Sequence, residues 1–99
     1  MITFMRSAVI APGMAGDAIA FANQVAKHFD EKYGTTLELL IPVGGNPNRI
    51  AWQARFENLA QWEAIASKLI ADTDYMGMVA KNSATFLPGS LHDEIWRTI

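Results

Sequence analysis

The chain has 99 residues, enough for one hydrophobic core and too few for two. Hydrophobic residues make up 51% and charged ones 18%, which excludes a disordered chain, and eight basic residues against ten acidic ones give a net charge of −2 with no run of Lys or Arg to follow a phosphate backbone, so nucleic acid is disfavoured. The absence of cysteine excludes disulfides, thiolate metal sites and cysteine nucleophiles, and a reducing cytoplasm is the default compartment.

Ile2 to Ile10 reads as a strand with Ile2, Phe4, Ala8 and Ile10 on one face and Met5 and Val9 on the other, so both faces need cover. Arg6 followed by Ser7–Ala11 imitates a secretory leader, but Pro12-Gly13 and Asp17 interrupt it too early, and no apolar run approaches the roughly 18 residues a membrane span needs. From Gly16 or Asp17 to Tyr33, Ala18, Ala22, Val25, Phe29 and Tyr33 recur at spacings of three and four. This spacing predicts an amphipathic helix that Asp17 favours at its start and Gly34 ends. Thr35 to Val43 alternates as a second strand, Gly44-Gly45-Asn46-Pro47-Asn48 turns the chain, and Arg49 to Phe56 returns as a hairpin partner with Ile50, Trp52, Ala54 and Phe56 on its apolar face. Asn58 with Gln61 three residues on predicts a capped helix bearing Leu59, Trp62, Ile65, Ala66, Leu69 and Ile70. Asp72-Thr73-Asp74 breaks that helix and caps a short one, Leu87-Pro88-Gly89 ends it, and Leu91 to Ile99 alternates as a last strand.

The order β-α-β-β-α-(α)-β is that of a ferredoxin-like α+β domain spanning residues 1–99, an antiparallel sheet with helices on one face. An identical subunit would cover the other face, so the expected partner is a second copy of the chain in a homodimer, with no membrane partner.

Of the two histidines, His28 reads as a partly exposed helix residue. His92, at the start of the last strand, is the better candidate base. That strand borders the first in a ferredoxin-like sheet, which would bring His92 or Glu94 toward Arg6. Such a group suits proton transfer beside a carbonyl or the holding of an anion; the alternative is an ion network at the dimer seam, favoured here. Arg6, Gln53 and Arg55 stand on central strands, either as a clamp for a carboxylate or paired with Glu38, Glu94 or Asp93. Trp52, Trp62 and Trp96 with Phe21, Phe29, Phe56, Tyr33, Tyr75 and Phe86 would fill a core or line an apolar pocket between sheet and helices. The candidate ligand residues are therefore Arg6, Trp52, Gln53, Arg55, His92, Glu94 and Trp96, with His92 and Arg6 as candidates for catalysis. Neither the acidic residues nor the histidines cluster as metal ligands, and no cofactor is expected.

The run from Val43 through Gly44-Gly45-Asn46-Pro47-Asn48, the strand with Trp52 near its middle, and the helix opening with Leu59 and Trp62 resembles the NIPSNAP-type proteins. Ala71-Asp72-Thr73-Asp74-Tyr75 is similar to that family's acidic helix break, and Phe86-Leu87-Pro88-Gly89-Ser90 precedes the last strand in the corresponding place. The resemblance implies a dimeric α/β barrel, two ferredoxin-like subunits packed sheet to sheet. That superfamily holds small-molecule binders without an assigned reaction, cofactor-independent monooxygenases and isomerases, and haem-binding members. The three readings it leaves are a homodimer binding a small apolar or weakly acidic molecule, an oxygenase or isomerase, and a non-catalytic interaction dimer.

Overall fold

A computed structural model describes residues 1–99. Its elements are β1 (Ile2–Val9), α1 (Ala15–Tyr33), β2 (Glu38–Leu40), β3 (Arg49–Phe56), α2 (Leu59–Ile70), α3 (Thr73–Lys81), a 3-10 turn at Ser83–Thr85, and β4 (His92–Arg97). The four strands form one antiparallel sheet in the order β2-β3-β1-β4, the ferredoxin-like arrangement. No helix is long and apolar enough to cross a membrane.

Local chemistry sets most boundaries. Gly34 closes α1 in the left-handed conformation at φ 60°, and its N–H donates to Asp30. Asn58 caps α2 by accepting the Gln61 N–H at 2.9 Å, while the Gln61 side chain accepts the Glu57 N–H at 2.7 Å, one residue earlier than a standard capping box. The helix α1 starts at Ala15, just ahead of the expected Gly16 or Asp17, with Met14 at the cap. The second strand is much shorter than Thr35–Val43. Pro42 has no N–H to give a ladder, and the following loop bonds to itself, the Arg49 Nε–H donating to the Asn46 carbonyl at 3.0 Å. The last strand likewise contracts to His92–Arg97.

The helix α1 supplies the core. Ala18, Phe21, Ala22, Val25 and Phe29 are buried, and the last four pack on Ile50 and Trp52 of β3. Burial of each large side chain in this layer contributes roughly 1.5–3 kcal/mol. A second cluster joins Ile2, Ala54 and Phe56 beneath Trp62 and Ile65. By contrast, α2 has no fully buried residue, and Leu59 and Ile70 at its ends are 47% and 80% exposed.

The segment α2–α3 is fastened to α1 by a polar cluster. Asp72, at the junction of the two helices, has a side chain 1% exposed. One oxygen accepts from His28 Nε2 at 2.7 Å and from the Tyr33 hydroxyl at 2.6 Å. The other accepts the Tyr75 N–H at 3.0 Å, capping α3, and lies 3.2 Å from Lys32 Nζ. A buried carboxylate needs this many partners. The bonds from Tyr33 and His28 hold its pKa well below the ordinary carboxylate range, and burial together with the bond to Asp72 pushes Tyr33 up to about 12.

Two pH limbs follow. Unfolded Asp72 takes up its proton near pH 4 and the folded one only in stronger acid, so stability falls as pH drops below about 4. Unfolded Tyr33 loses its proton near pH 10, the folded one at about 12, so stability also falls across that interval. In urea titrations over a pH series, Tyr33→Phe should remove its alkaline component, and Asp72→Asn should be less stable at neutral pH with a shallower acid limb.

A candidate ligand groove between sheet and helices

Directly paired residues in an antiparallel sheet share a face. The face toward the helices therefore carries Phe4, Arg6 and Ala8 of β1, with Ala54, Trp52 and Ile50 opposite them on β3 and Ile95 and Asp93 opposite Phe4 and Arg6 on β4. Because α2 lays Trp62 and Ile65 on the sheet without burying any residue fully, and only β1 packs extensively on β4, space remains in this layer. One cavity of about 90 Å³ is walled by Phe4, Phe29, Phe56, Trp62, Ile65 and Leu69 among others. Another of about 240 Å³ lies toward Phe21, Val79, Phe86, Leu87 and Leu91. Arg6, Val25, Trp52 and Tyr75 border both.

The shared wall holds the polar chemistry. Arg6 donates from Nε and from a terminal nitrogen to the two oxygens of Asp93 at 2.7 and 2.8 Å, a forked pair that the register Arg6↔Asp93 aligns across the strands. The guanidinium lies 5.7 Å from the centre of the Phe4 ring and has Tyr75 beside it. The hydrogen bond to Asp93 raises the Arg6 pKa further, against the opposing effect of burial, so this group stays a cation. Trp52 Nε1 is the one buried side-chain polar atom without a partner. Tyr75 is set in place by its amide bond to Asp72 and by its ring, stacked on His28 at 6.5 Å and edge-on to Phe29 at 5.9 Å.

The candidate residues divide between the two faces of the sheet. Arg6 and Trp52 border the groove. Gln53 and Arg55, on the other parity of β3, and His92, Glu94 and Trp96 on β4 stand on the open face. There His92 Nε2 lies 3.5 Å from Glu94, and the Trp96 Nε1–H donates to Glu94 at 3.2 Å. The expected approach of His92 or Glu94 to Arg6 is corrected by the register: His92 pairs with Ser7, Glu94 with Met5, and Asp93 takes the place opposite Arg6. Trp96, 62% exposed, lines neither cavity. Sequence reasoning took Asp72 for a helix break and cap and His28 for a partly exposed helix residue, and both hold, but it did not foresee their contact. The signal for their contact was His28 and Lys32, four residues apart beside an apolar stripe that ends in the hydroxyl-bearing Tyr33.

No protein-family model matches the sequence, and no curated protein matches it. Solved structures do. An uncharacterised NIPSNAP domain protein from Burkholderia xenovorans superposes with a TM-score of 0.83 over 100% of this chain and 95% of that one at 14% identity. The chain has the NIPSNAP fold. A NIPSNAP family protein from Agrobacterium tumefaciens gives a TM-score of 0.83 at 13% identity, covering 99% of this chain and 85% of that one. An antibiotic biosynthesis monooxygenase gives 0.73 at 9% identity over 100% and 99%. These likenesses lie in the path of the chain.

Arg6 and Asp93 have side chains 33% and 41% exposed, so water screens their attraction. Arg6→Met, which keeps the stem and removes the fork, should therefore lower folding stability by only about 1 kcal/mol or less, measured by urea denaturation at neutral pH.

Proposed function

We propose that this chain is a NIPSNAP-like homodimer that binds a small, largely apolar, neutral or weakly acidic molecule between its sheet and its helices. The observation that carries the reading is the pair of apolar cavities meeting at Arg6, Trp52 and Tyr75. Apolar walls with a few converging polar groups are the usual make-up of a small-molecule site. Arg6 only donates, so a polar group of the ligand that meets it must be an acceptor. A cofactor-independent oxygenase or isomerase of this fold would need a base in the groove. Its candidate here, His92, sits on the opposite face of the sheet, and the geometry favours binding over turnover.

The second subunit belongs on the open face. Met5, Val9, Leu40 and Ala51 are only half-buried there, with Glu38 and Glu94 facing Arg49 and Arg55 as charges that a two-fold axis can pair. Native mass spectrometry of protein purified gently from cells tests both halves of the proposal. The expected species is a dimer with added small-molecule mass. Met5→Asp, which sets a second carboxylate opposite Glu94, should give monomer. Ala66→Leu, which fills the smaller cavity, should abolish the added mass while keeping the dimer. A wild-type monomer, or added mass unaffected by Ala66→Leu, would count against the proposal.

A further inference from the structure

The two lobes of the groove differ in exposure and in chemistry. None of the residues lining the smaller lobe is exposed, whereas Val79, Ser83, Leu87, Gly89 and Leu91 around the larger one are. The larger lobe is therefore the mouth and the smaller one the inner end. Polar side chains follow the same division. In the smaller lobe Arg6 and Tyr75 belong to the border shared with the larger one, and beyond that border the lining has no charged, hydroxyl or amide side chain. In the larger lobe Asn82 gives one side-chain N–H to the Met78 carbonyl at 2.8 Å, which leaves its second N–H and its oxygen. Beside it the exposed Ser83 brings a hydroxyl that both donates and accepts.

From this gradient we infer that the ligand is an amphiphile bound tail first. An unbranched apolar tail fills the smaller lobe, and an uncharged head that donates and accepts hydrogen bonds, a hydroxyl or a carboxamide, lies in the larger lobe with Asn82 and Ser83. The inference rests on the groove being a ligand site and specifies which end of the occupant lies where. Volume limits the tail: the smaller lobe, about 90 Å³, falls short of the roughly 150 Å³ of an apolar cavity that takes benzene, whereas the larger, about 240 Å³, exceeds it. Hydrogen bonding sets the direction. A hydroxyl carried into the smaller lobe loses its water and finds no partner past Arg6 and Tyr75, while in the larger lobe it meets amide and hydroxyl groups and the solvent at the mouth. The charge balance sets the kind of head. Arg6 is the one charged residue lining either lobe, and Asp93 already takes two of its donors, so no unpaired cation draws a carboxylate here.

Octane-1,2-diol and octane-1,8-diol share composition and chain length and differ in whether both hydroxyls sit at one end. Each is titrated into the full chain and followed by tryptophan fluorescence, and the complex is then mapped by isotope-filtered nuclear Overhauser effects between ligand and protein. The 1,2-isomer should bind at least about tenfold more tightly, because the 1,8-isomer must either bury a hydroxyl without a partner or leave the smaller lobe empty. Its terminal methyl should show contacts with Ile65 and Leu69 of the smaller lobe, and its hydroxyl-bearing carbons with Leu87 and Leu91 of the larger. Equal affinities, or a methyl beside Leu87 and Leu91 with the hydroxylated end beside Ile65 and Leu69, would overturn the orientation and leave the groove as a ligand site. Failure of both diols to bind would overturn the orientation and the ligand site together.

Discussion

The buried carboxylate of Asp72 is the constraint on which the arrangement of the groove depends. The sheet and α1 are held by apolar burial, whereas α2 buries no residue completely. Besides the apolar contacts of Ile65, Leu69, Tyr75 and Met78 with the core, what fastens the α2–α3 segment to α1 is one anion gathering His28, Lys32 and Tyr33 from the last turns of α1 and the Tyr75 amide in the first turn of α3. A charge so enclosed is tolerated only because each oxygen has two partners, and removing one leaves the anion under-solvated in a place water cannot reach. The same carboxylate that starts α3 also positions Tyr75, three residues on, over the sheet. Fold and site share this contact.

Across the sheet from that contact, the Arg6–Asp93 fork works differently. It is wet on one side, contributes little to folding, and acts mainly by aiming the guanidinium. Its direction follows from strand pairing: Arg6 stands beside Trp52 on one neighbour and Asp93 on the other, so three side chains of different strands lie in one row across the sheet. The groove is the space left between this row and the segment that runs from α2 through α3 to Leu91.

Much of this was legible in the chain. Strand alternation put Arg6 with Phe4 and Ala8, and Trp52 with Ile50 and Ala54, and both sets do face the helices. The Gly34 stop, the Asn58–Gln61 cap and the Asp72 cap are local chemistry and were readable as such. The partner of Arg6 was not, because the pairing of β1 with β4 joins residues 87 positions apart, and a shift of one residue exchanges Asp93 for His92 or Glu94 and moves the side chain to the other face. The Asp72 cluster escaped for a related reason. Its members lie about forty residues apart on two helices, and only the packing of those helices brings them together.

The partly buried inner face of α2 also bears on how the fold takes substitution. Trp62, Ile65 and Leu69 serve both the cavity wall and the core, Ile65 and Leu69 packing on the α1–sheet cluster and Trp62 on the cluster of Ile2, Ala54 and Phe56, whereas Ala66 borders the cavity outside both clusters. A wall shared in this way ties the shape of the groove to the packing of the frame, so the two cannot be altered independently.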